Sequence, residues 1–493
     1  MGKKAIIIGS GFSGMSSASF MAKAGYDVTV IEKHSMPGGR ARRLSKSGFH
    51  FDMGPSWYWM PDVFERYFAA FGKNVCDYYS LSLLDPSYRV FWNDHYDDIP
   101  HGVENLKRLF EQWEPGAAKN LEKFLDEASF KYRMGMQKMV YKPGLRLTEF
   151  ADREVMKGMM QLDMFTSVRT HISKFFKHPA IRQLLEFPIL FLGAHPENTP
   201  ALYTLMNHAD INGGTWYPQG GMYSVVDGMH KLAKELGVRF FFNEHVTGFE
   251  ISNSRINSVL TDLNDYHADV VIGSADYHFI EQKLLPARYR SYSSAWWQRR
   301  KLAPSCLIYY VGLDKKLNNI RHHNLFFDAP FETHSTEIYK TRSWPTDPLF
   351  YVCASSVTDA SVAPPGCENL FFLVPISAGL FDDDEWLREH YFDMIVKRLE
   401  KHTGEKISGN IIYKESFATS DFVNEYHSFN GNAYGLANTL NQTAFLKPKC
   451  KSSKISNLYY TGQLTVPGPG VPPSLISGEV VAGVAHRYQN EQS

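Results

Sequence analysis

The first 32 residues contain two short apolar runs separated by a glycine-rich turn and a segment of small residues. The run from Lys4 to Ile8 has no polar alternation, which predicts a strand buried on both faces. Small residues over 15–24 predict a helix that ends at Gly25, a residue suited to a helix C-cap. A second apolar run over 28–31 ends at Glu32 and predicts the next strand. The pattern is that of a βαβ unit with parallel strands.

The turn between the first strand and the helix reads G-S-G-F-S-G over residues 9–14. Gly9 permits a tight turn, Gly11 lets a pyrophosphate approach the helix amino terminus, and Gly14 allows helix and strand to pack closely. Glu32 lies 18 residues beyond Gly14 and can accept hydrogen bonds from a ribose diol. Together, these features predict a dinucleotide-binding site.

Later segments extend this picture to a mixed α/β chain. Residues 117–130 and 222–236 show the 3.6-residue periodicity of amphipathic helices. Strands are predicted over 238–242, 246–251, 268–276 and 457–463, and a small-residue helix is predicted from about Ser474. A Gly/Pro loop between the last strand and the last helix would direct helix N–H groups at a polar ligand.

Composition excludes several classes of protein. The 493 residues carry 52 basic and 52 acidic side chains, so no basic excess favours nucleic-acid binding. No apolar run approaches the 18 residues of a membrane-spanning helix. Five scattered cysteines without a Cys-x-x-Cys pair argue against disulfides and zinc and favour the reducing cytosol. We expect no metal site, and we interpret His322-His323 as a structural pair.

Motifs at both ends of the chain resemble those of one family. Glu32 is followed by Gly38-Gly39-Arg40, and the carboxyl-terminal segment reads NLYYTGQLTVPGPGVPPSLISG over 457–478. These stretches, with 49–61, 215–222 and 431–448, resemble bacterial-type phytoene desaturases and other carotenoid desaturases. That family belongs to the flavoprotein superfamily that includes the amine oxidases. One departure is Gly462-Gln463, where relatives commonly have Gly-Ala or Gly-Asp.

The resemblance implies an α/β fold with FAD as cofactor. The implied fold consists of a discontinuous Rossmann-like FAD-binding domain and an α+β substrate domain with a mixed sheet and a helical lid. We expect FAD-binding segments at 1–92, 216–286 and 452–493, a helical membrane-facing region at 93–215, and the substrate domain at 287–451. The residues expected to bind FAD are Gly9, Ser10, Gly11, Phe12, Ser13, Gly14, Glu32, Lys33, Gly39, Arg40, Gly54, Pro55, Ser56, Val246, Gly462, Gln463, Gly470, Val471 and Pro472.

By the same resemblance, the reaction removes a hydride and a proton from adjacent allylic carbons of a long polyene. The flavin takes the hydride, and a quinone or oxygen is the final electron acceptor. The substrate is either phytoene or a later carotenoid, hydroxylated or monocyclic (γ-carotene-type 3,4-desaturation), and no residue decides between them. The sequence does not indicate which residue accepts the proton. Glu149, Asp152 and Arg153 are interpreted as exposed charges on a helix. The aromatic residues expected near the substrate are Trp57, Trp59, Trp216 and Tyr434.

Residues 150–193 combine methionine, phenylalanine and leucine with basic side chains. Such a segment suits either a membrane-interface helix or a lid packed on the protein core. We therefore expect a cytoplasmic protein associated peripherally with a membrane lipid surface. Two alternatives stay open. A flavin amine oxidase would need polar groups for an amine, and a non-catalytic prenyl-lipid carrier on the same fold would be expected to lose the flavin-binding glycines that this chain keeps.

Overall fold

The computed structural model describes residues 2–146, 149, 166–190, 195–439, 442–443 and 446–491. The strands are β1 (Lys4–Ile8), β2 (Asp27–Ile31), β3 (Arg43–Lys46), β4 (Phe49–Asp52), β5 (Leu81–Leu83), β6 (Tyr88–Phe91), β7 (Tyr96–Ile99), β8 (Trp216–Pro218), β9 (Arg239–Phe241), β10 (Val246–Ser252), β11 (Arg255–Thr261), β12 (Asp265–His267), β13 (Val270–Gly273), β14 (Ser305–Leu313), β15 (His323–Phe326), β16 (Phe350–Cys353), β17 (Glu368–Ile376), β18 (Ile411–Phe417) and β19 (Leu458–Tyr460).

The α-helices surround these strands. They are α1 (Phe12–Lys23), α2 (Pro61–Ala69), α3 (Val103–Trp113), α4 (Ala117–Met134), α5 (Val168–Ser173), α6 (Pro179–Leu190), α7 (Leu205–Asn207), α8 (Tyr223–Glu235), α9 (Tyr277–Phe279), α10 (Ser294–Gln298), α11 (Phe331–Thr336), α12 (Glu385–Thr403), α13 (Thr419–Tyr426) and α14 (Val471–Glu491).

A five-stranded parallel sheet is assembled from distant parts of the chain. Its strand order is β19-β13-β1-β2-β9, and every neighbouring pair is parallel. In β1 the residues from Ala5 to Ile8 are all buried, as the unbroken apolar run predicts for a strand covered on both faces. The helices α1, α8 and α14 pack beside this sheet. The strand order places β1 at the centre, next to β13 and β2.

A second, seven-stranded sheet has the order β18-β14-β17-β16-β15-β6-β7. Its pairs are antiparallel except for the parallel pair of β15 and β6, so the sheet is mixed. Alternate residues of β14 enter different cores because successive side chains of a strand point to opposite faces. Leu307 and Tyr309 pack with residues of α12, whereas Cys306 and Ile308 face the core that contains the glycine turn.

The α/β class and the mixed second sheet agree with the sequence prediction. Helix α1 begins at Phe12, three residues before the predicted start, so Gly14 is already helical. The domain limits stay a prediction. The strands of the parallel sheet fall within the three expected FAD-binding segments, but β6, which lies before residue 92, pairs with the mixed sheet.

Part of the amphipathic stretch expected at 150–193 lies outside the described residues, namely 150–165 and 191–193. Glu149 is described, and its carboxylate accepts hydrogen bonds from the backbone N–H groups of Gly144 and Leu145. Asp152 and Arg153 are outside the described residues. Over the described ranges, no helix is long and apolar enough to cross a bilayer.

Small residues hold the first and last helices in close contact. The Ser16 hydroxyl in α1 donates to the Leu475 carbonyl at 2.8 Å, and the Ser17 hydroxyl donates to the Gly478 carbonyl at 3.3 Å. A Cβ at Gly478 would lie 2.5 Å from the Ser16 Cβ and 2.6 Å from the Ser13 carbonyl oxygen. The two helices can therefore approach this closely only because position 478 has no side chain.

We predict that Gly478→Ala destabilises the protein by about 1–3 kcal/mol, because the added methyl group forces α1 and α14 apart. Gly483→Ala is the matched control on the same helix, where a Cβ meets no atom within 4 Å. That variant should be as stable as the wild type or more stable, since alanine favours helix. Thermal unfolding of the three proteins checks this, and equal midpoints for both variants would contradict the close-packing argument.

Candidate functional site

A cavity of about 280 Å³ opens at the carboxyl ends of the parallel strands. Gly9 follows β1, Glu32 follows β2, Asp276 lies three residues after β13, and Gly462 lies two residues after β19. All four line this cavity, which we call the cofactor cavity. In open parallel sheets, ligands bind at the carboxyl ends of the strands, so the sheet topology alone indicates a ligand-binding site here.

The glycine turn forms one wall of the cofactor cavity. Gly9 has a φ of +97°, a backbone conformation that favours glycine, and its N–H donates to the Ile31 carbonyl at 2.8 Å. A Cβ at Gly14 would lie 2.1 Å from the Gly9 carbonyl oxygen, so only glycine permits this packing. Gly11 is the N-cap of α1, and no side chain caps the helix. The free N–H groups of the first turn therefore form an anion site.

Glu32 is held by the same turn. One of its carboxylate oxygens accepts hydrogen bonds from the Ser10 backbone N–H and hydroxyl, each at 2.8 Å. The other oxygen accepts the His34 N–H at 3.0 Å. The side chain is buried and lines the cofactor cavity. Its position is therefore fixed before any ligand binds.

Arg40, which is half-buried, follows Gly39 and also lines the cofactor cavity. Arg40 donates to the Ser428 hydroxyl at 2.9 Å and lies over the Tyr426 ring, 5.2 Å from its centroid. Its Nε has no hydrogen-bond partner among the described residues. Desolvation lowers the pKa of Arg40, while the nearby Asp276 carboxylate acts to raise it. Burial in turn raises the pKa of Asp276 to about 6.

The remainder of the cofactor cavity is mostly apolar. Phe12, Met53, Ile308 and Leu373 line it, and Gln463 lies beside them with its side-chain amide 3.0 Å from that of Asn432. Apolar walls suit a flat aromatic ring system. The helix amino terminus and Arg40 suit a pyrophosphate, and Glu32 suits a ribose. These residues together fit FAD.

A second, narrower cavity of about 50 Å³ adjoins the first. Leu373 and Tyr434 line both cavities and form their common wall. We call the second cavity the apolar slot. Its other lining residues come from α6, the residue before β14, the segment around α11, and strands β15 to β17 with their adjoining residues. They are Phe187, Pro304, Leu325, Phe327, Phe331, His334, Ser335, Ile338, Tyr339, Leu349, Phe350, Tyr351 and Pro375.

Most residues expected to bind the cofactor line the cofactor cavity. They are Gly9, Gly11, Phe12, Ser13, Glu32, Lys33, Gly39, Arg40, Gly54, Pro55, Val246, Gly462, Gln463, Gly470 and Val471. The others adjoin it in sequence and are Ser10, Gly14, Ser56 and Pro472. Their contacts with FAD stay a prediction.

Of the four aromatic residues expected near the substrate, one lines the cavities and three do not. Tyr434 lies at the common wall of the two cavities. Trp57 stacks on His323 at 4.0 Å between ring centroids, in an aromatic cluster that also contains Trp59. The indole N–H of Trp59 donates to the Thr215 hydroxyl, and that of Trp216 donates to the Gly213 carbonyl. Substrate contact of all four remains a prediction.

Sequence reasoning missed the contribution of α13 to the cofactor cavity. Phe422, Glu425 and Tyr426 on this helix line the cavity, and Glu425 pairs with Arg42 at 2.7 Å. No glycine motif or conspicuous spacing marks this segment. The arginines after Gly39 were the only signal, since a half-buried arginine needs partners that the local sequence does not supply.

Comparisons with known proteins agree with this geometry. A family model described as flavin containing amine oxidoreductase matches residues 12–485. A carotenoid 3,4-desaturase of Haloarcula japonica is 41% identical over 98% of this chain and 97% of its own length. A zeta-carotene-forming phytoene desaturase of Myxococcus xanthus is 29% identical over 97% and 93%. The crystal structure of an oxidoreductase from Methanosarcina mazei shares the fold, with a TM-score of 0.63, 16% identity, and coverage of 96% and 98%.

We predict that Gly11→Ala weakens FAD binding by about tenfold or more, equivalent to about 1.4 kcal/mol, without lowering the stability of the cofactor-free protein. A Cβ at Gly11 meets no protein atom within 4 Å, so it would occupy the cofactor cavity itself. Titration of the cofactor-free protein with FAD, followed by flavin fluorescence, measures the affinity.

Gly14→Ala is the contrasting variant, because its Cβ would collide with the Gly9 carbonyl oxygen. It should lower the thermal midpoint even without FAD. If Gly11→Ala binds FAD like the wild type, the cofactor does not approach the turn at residue 11.

Proposed function

Because this chain belongs to the family of flavin-containing amine oxidoreductases, we propose that it is an FAD-dependent carotenoid desaturase that forms C=C bonds in a long polyene. The observation that carries this proposal is the apolar slot, which shares Leu373 and Tyr434 with the cofactor cavity. A polyene lying in the slot would present its allylic carbons at the common wall. The relatives named as carotenoid desaturases, which match almost the whole chain, support the same substrate class.

FAD bound in the cofactor cavity supplies an acceptor for the hydride that leaves the substrate. The protein supplies position and environment. The rings of Phe327, Phe331 and Phe350 line the slot and exclude water. Hydride loss leaves positive charge on the polyene, and aromatic faces stabilise cations through their quadrupoles. The slot therefore suits both the apolar substrate and the charge that develops on it.

Two alternatives fit the slot less well. An amine substrate is cationic and favours a carboxylate or a ring of polar groups, but no described residue that lines the slot is Asp or Glu. A lipid carrier without catalysis has no need of the glycine turn, the fixed Glu32 and Arg40, which together fit a dinucleotide. Desaturation uses both cavities.

The two reported relatives differ in substrate, so the carotenoid must be found by experiment. We would express the protein in bacteria that make phytoene, and in others that make hydroxylated or monocyclic carotenoids, and analyse pigments by chromatography and absorption. New pigments with longer chromophores are expected from one of these substrates. Absence of any new pigment from all of them, in cells that contain the FAD-loaded protein, would refute the proposal.

A variant within the slot makes this test specific. Ile338→Trp places a bulky ring in the slot at a position that does not line the cofactor cavity. It should abolish desaturation while the purified protein keeps its FAD. Ile412→Trp is the matched control, because Ile412 is 53% exposed on β18. It should retain wild-type activity.

We further propose that the protein works on the cytoplasmic face of a membrane and passes its electrons to a quinone or to oxygen. A long polyene is insoluble in water, so it must enter the slot from a lipid phase. Cosedimentation with vesicles of anionic phospholipid measures the association. We expect most of the protein to pellet, and a fully unbound protein would contradict a peripheral membrane location.

A further inference from the structure

Desaturation also requires a base for the proton that leaves the second carbon, and this inference rests on the proposed function. After hydride loss, the C–H bond beside the cationic carbon is strongly acidic. A weak neutral base is therefore sufficient, provided that it reaches the substrate and can pass the proton on. The base should lie in the slot near the common wall with the cofactor cavity.

Several polar groups of the slot are unsuited to this role. His334 has both ring nitrogens engaged, because Nδ1 accepts the Leu349 N–H at 3.0 Å and Nε2 lies 2.9 Å from the Pro375 carbonyl. The Ser335 hydroxyl donates to the Glu332 carbonyl at 3.2 Å. Tyr434 lies beside the Cys306 thiol, whose pKa burial raises to about 12, so this neighbour offers no basic atom.

Tyr351 differs from these three residues because its hydroxyl is hydrogen-bonded to an imidazole, that of His323. Its ring lines the slot, and its oxygen lies 2.6 Å from His323 Nδ1 and 3.0 Å from the Ser56 hydroxyl. Ser56 follows Gly54 and Pro55, both of which line the cofactor cavity. Tyr351 lies opposite Leu373 in the sheet, and Leu373 lines both cavities, so Tyr351 lies beside their common wall.

His323 is arranged to receive a proton. The Trp57 ring stacks on it with an interplanar angle of 7°, which fixes the orientation of the imidazole. The side chain is fully buried, and burial holds its pKa well below the usual range, so the ring is neutral and one nitrogen keeps a lone pair. Its Nε2 has no hydrogen-bond partner among the described residues. A buried nitrogen without a partner costs stability and calls for an explanation.

We propose that Tyr351 is the proton acceptor of the reaction and that His323 is its proton-receiving partner. The substrate C–H bond breaks, and its electron pair forms the new C=C bond. The proton goes to the Tyr351 oxygen as the Tyr351 hydroxyl proton passes to His323 Nδ1. FAD, when bound, would accept the hydride together with the electron pair of the first C–H bond, so the polyene is a cation before this step. Loss of the proton makes the polyene neutral, and the positive charge resides on His323.

The imidazolium of His323 would lie next to a second histidine, His322, which contacts Thr358. The His322 ring lies 4.5 Å from that of His323, centroid to centroid, and its Nδ1 is 2.8 Å from the Thr358 hydroxyl. Burial lowers the pKa of His322 to about 3, and the nearby Asp359 carboxylate opposes this shift. Exposed residues follow directly at 360 and 361. The second histidine of the pair thus lies on the side from which the proton can leave.

The test uses the FAD-loaded full-length protein with carotenoid in phosphatidylcholine vesicles. Tyr351→Phe removes only the hydroxyl and should slow desaturation by about 100-fold or more. His323→Gln keeps an acceptor atom for the Tyr351 hydroxyl but cannot take up its proton, and it should slow the reaction similarly. The control Tyr309→Phe removes another buried hydroxyl from the same sheet, one that donates to the Arg388 carbonyl away from both cavities.

Two further readouts separate chemistry from folding. FAD content should stay at the wild-type value in Tyr351→Phe, and the thermal midpoint should fall no further than in Tyr309→Phe, which also loses a buried hydroxyl. With substrate deuterated at the carbon that loses the proton, the kinetic isotope effect should rise in this variant, because proton removal becomes the slowest step. A merely structural tyrosine would not change that isotope effect.

The outcomes distinguish the two proposals. A wild-type protein inactive on every carotenoid refutes the desaturase itself and the proton acceptor with it. An active wild type with an equally active Tyr351→Phe refutes only the proton acceptor, as does a slow variant with an unchanged isotope effect. One equivalent of metal that is lost in His323→Gln would also overturn it, since His322, His323 and Cys353 each have a possible ligand atom within 4.8 Å of the others.

Discussion

The contact between the first and last helices is the constraint on which the cofactor cavity depends. Helix α1 carries the glycine turn at its amino terminus, and α14 begins at Val471, which lines the same cavity. Their axes approach closely because Gly478 has no side chain, and Ser16 and Ser17 bond to the facing backbone. A larger residue in this contact would move both termini and the walls they form.

The mixed sheet joins the two cavities through the alternation of its strands. Side chains on one face of β14 and β17, such as Ile308 and Leu373, reach the cofactor cavity, while their neighbours on the other face pack beneath α12. Tyr351 on β16 lines the slot. One surface therefore carries residues of both cavities and holds Tyr351 beside their common wall.

The parts of the site formed by contiguous motifs could be predicted from the sequence. The turn at residues 9–14, Glu32 and the carboxyl-terminal Gly/Pro loop have distinctive local patterns, because backbone N–H groups and small residues must lie at fixed spacings. The partners of Arg40, the contribution of α13, and the link between Tyr351 and His323 could not be predicted in this way. They join residues far apart in the chain, and each residue alone is compatible with an ordinary core position. The interpretation of the adjacent histidines as a structural pair stays a prediction, and nothing near them in sequence indicates the contacts of His323 with Trp57 and Tyr351.

The strand order of the parallel sheet also affects how the protein is made. β1 and β2 are synthesised at the start, but β13, which pairs with β1, and β19, which pairs with β13, come from residues 270–273 and 458–460. Gly14 and Gly462 are 448 positions apart, which corresponds to about 20–90 s of translation. Until residue 458 is made, β13 has no neighbour on its outer side, and the cofactor cavity lacks the wall that Gly462, Gly470 and Val471 form. The cavity that would enclose FAD is therefore completed only near the end of synthesis.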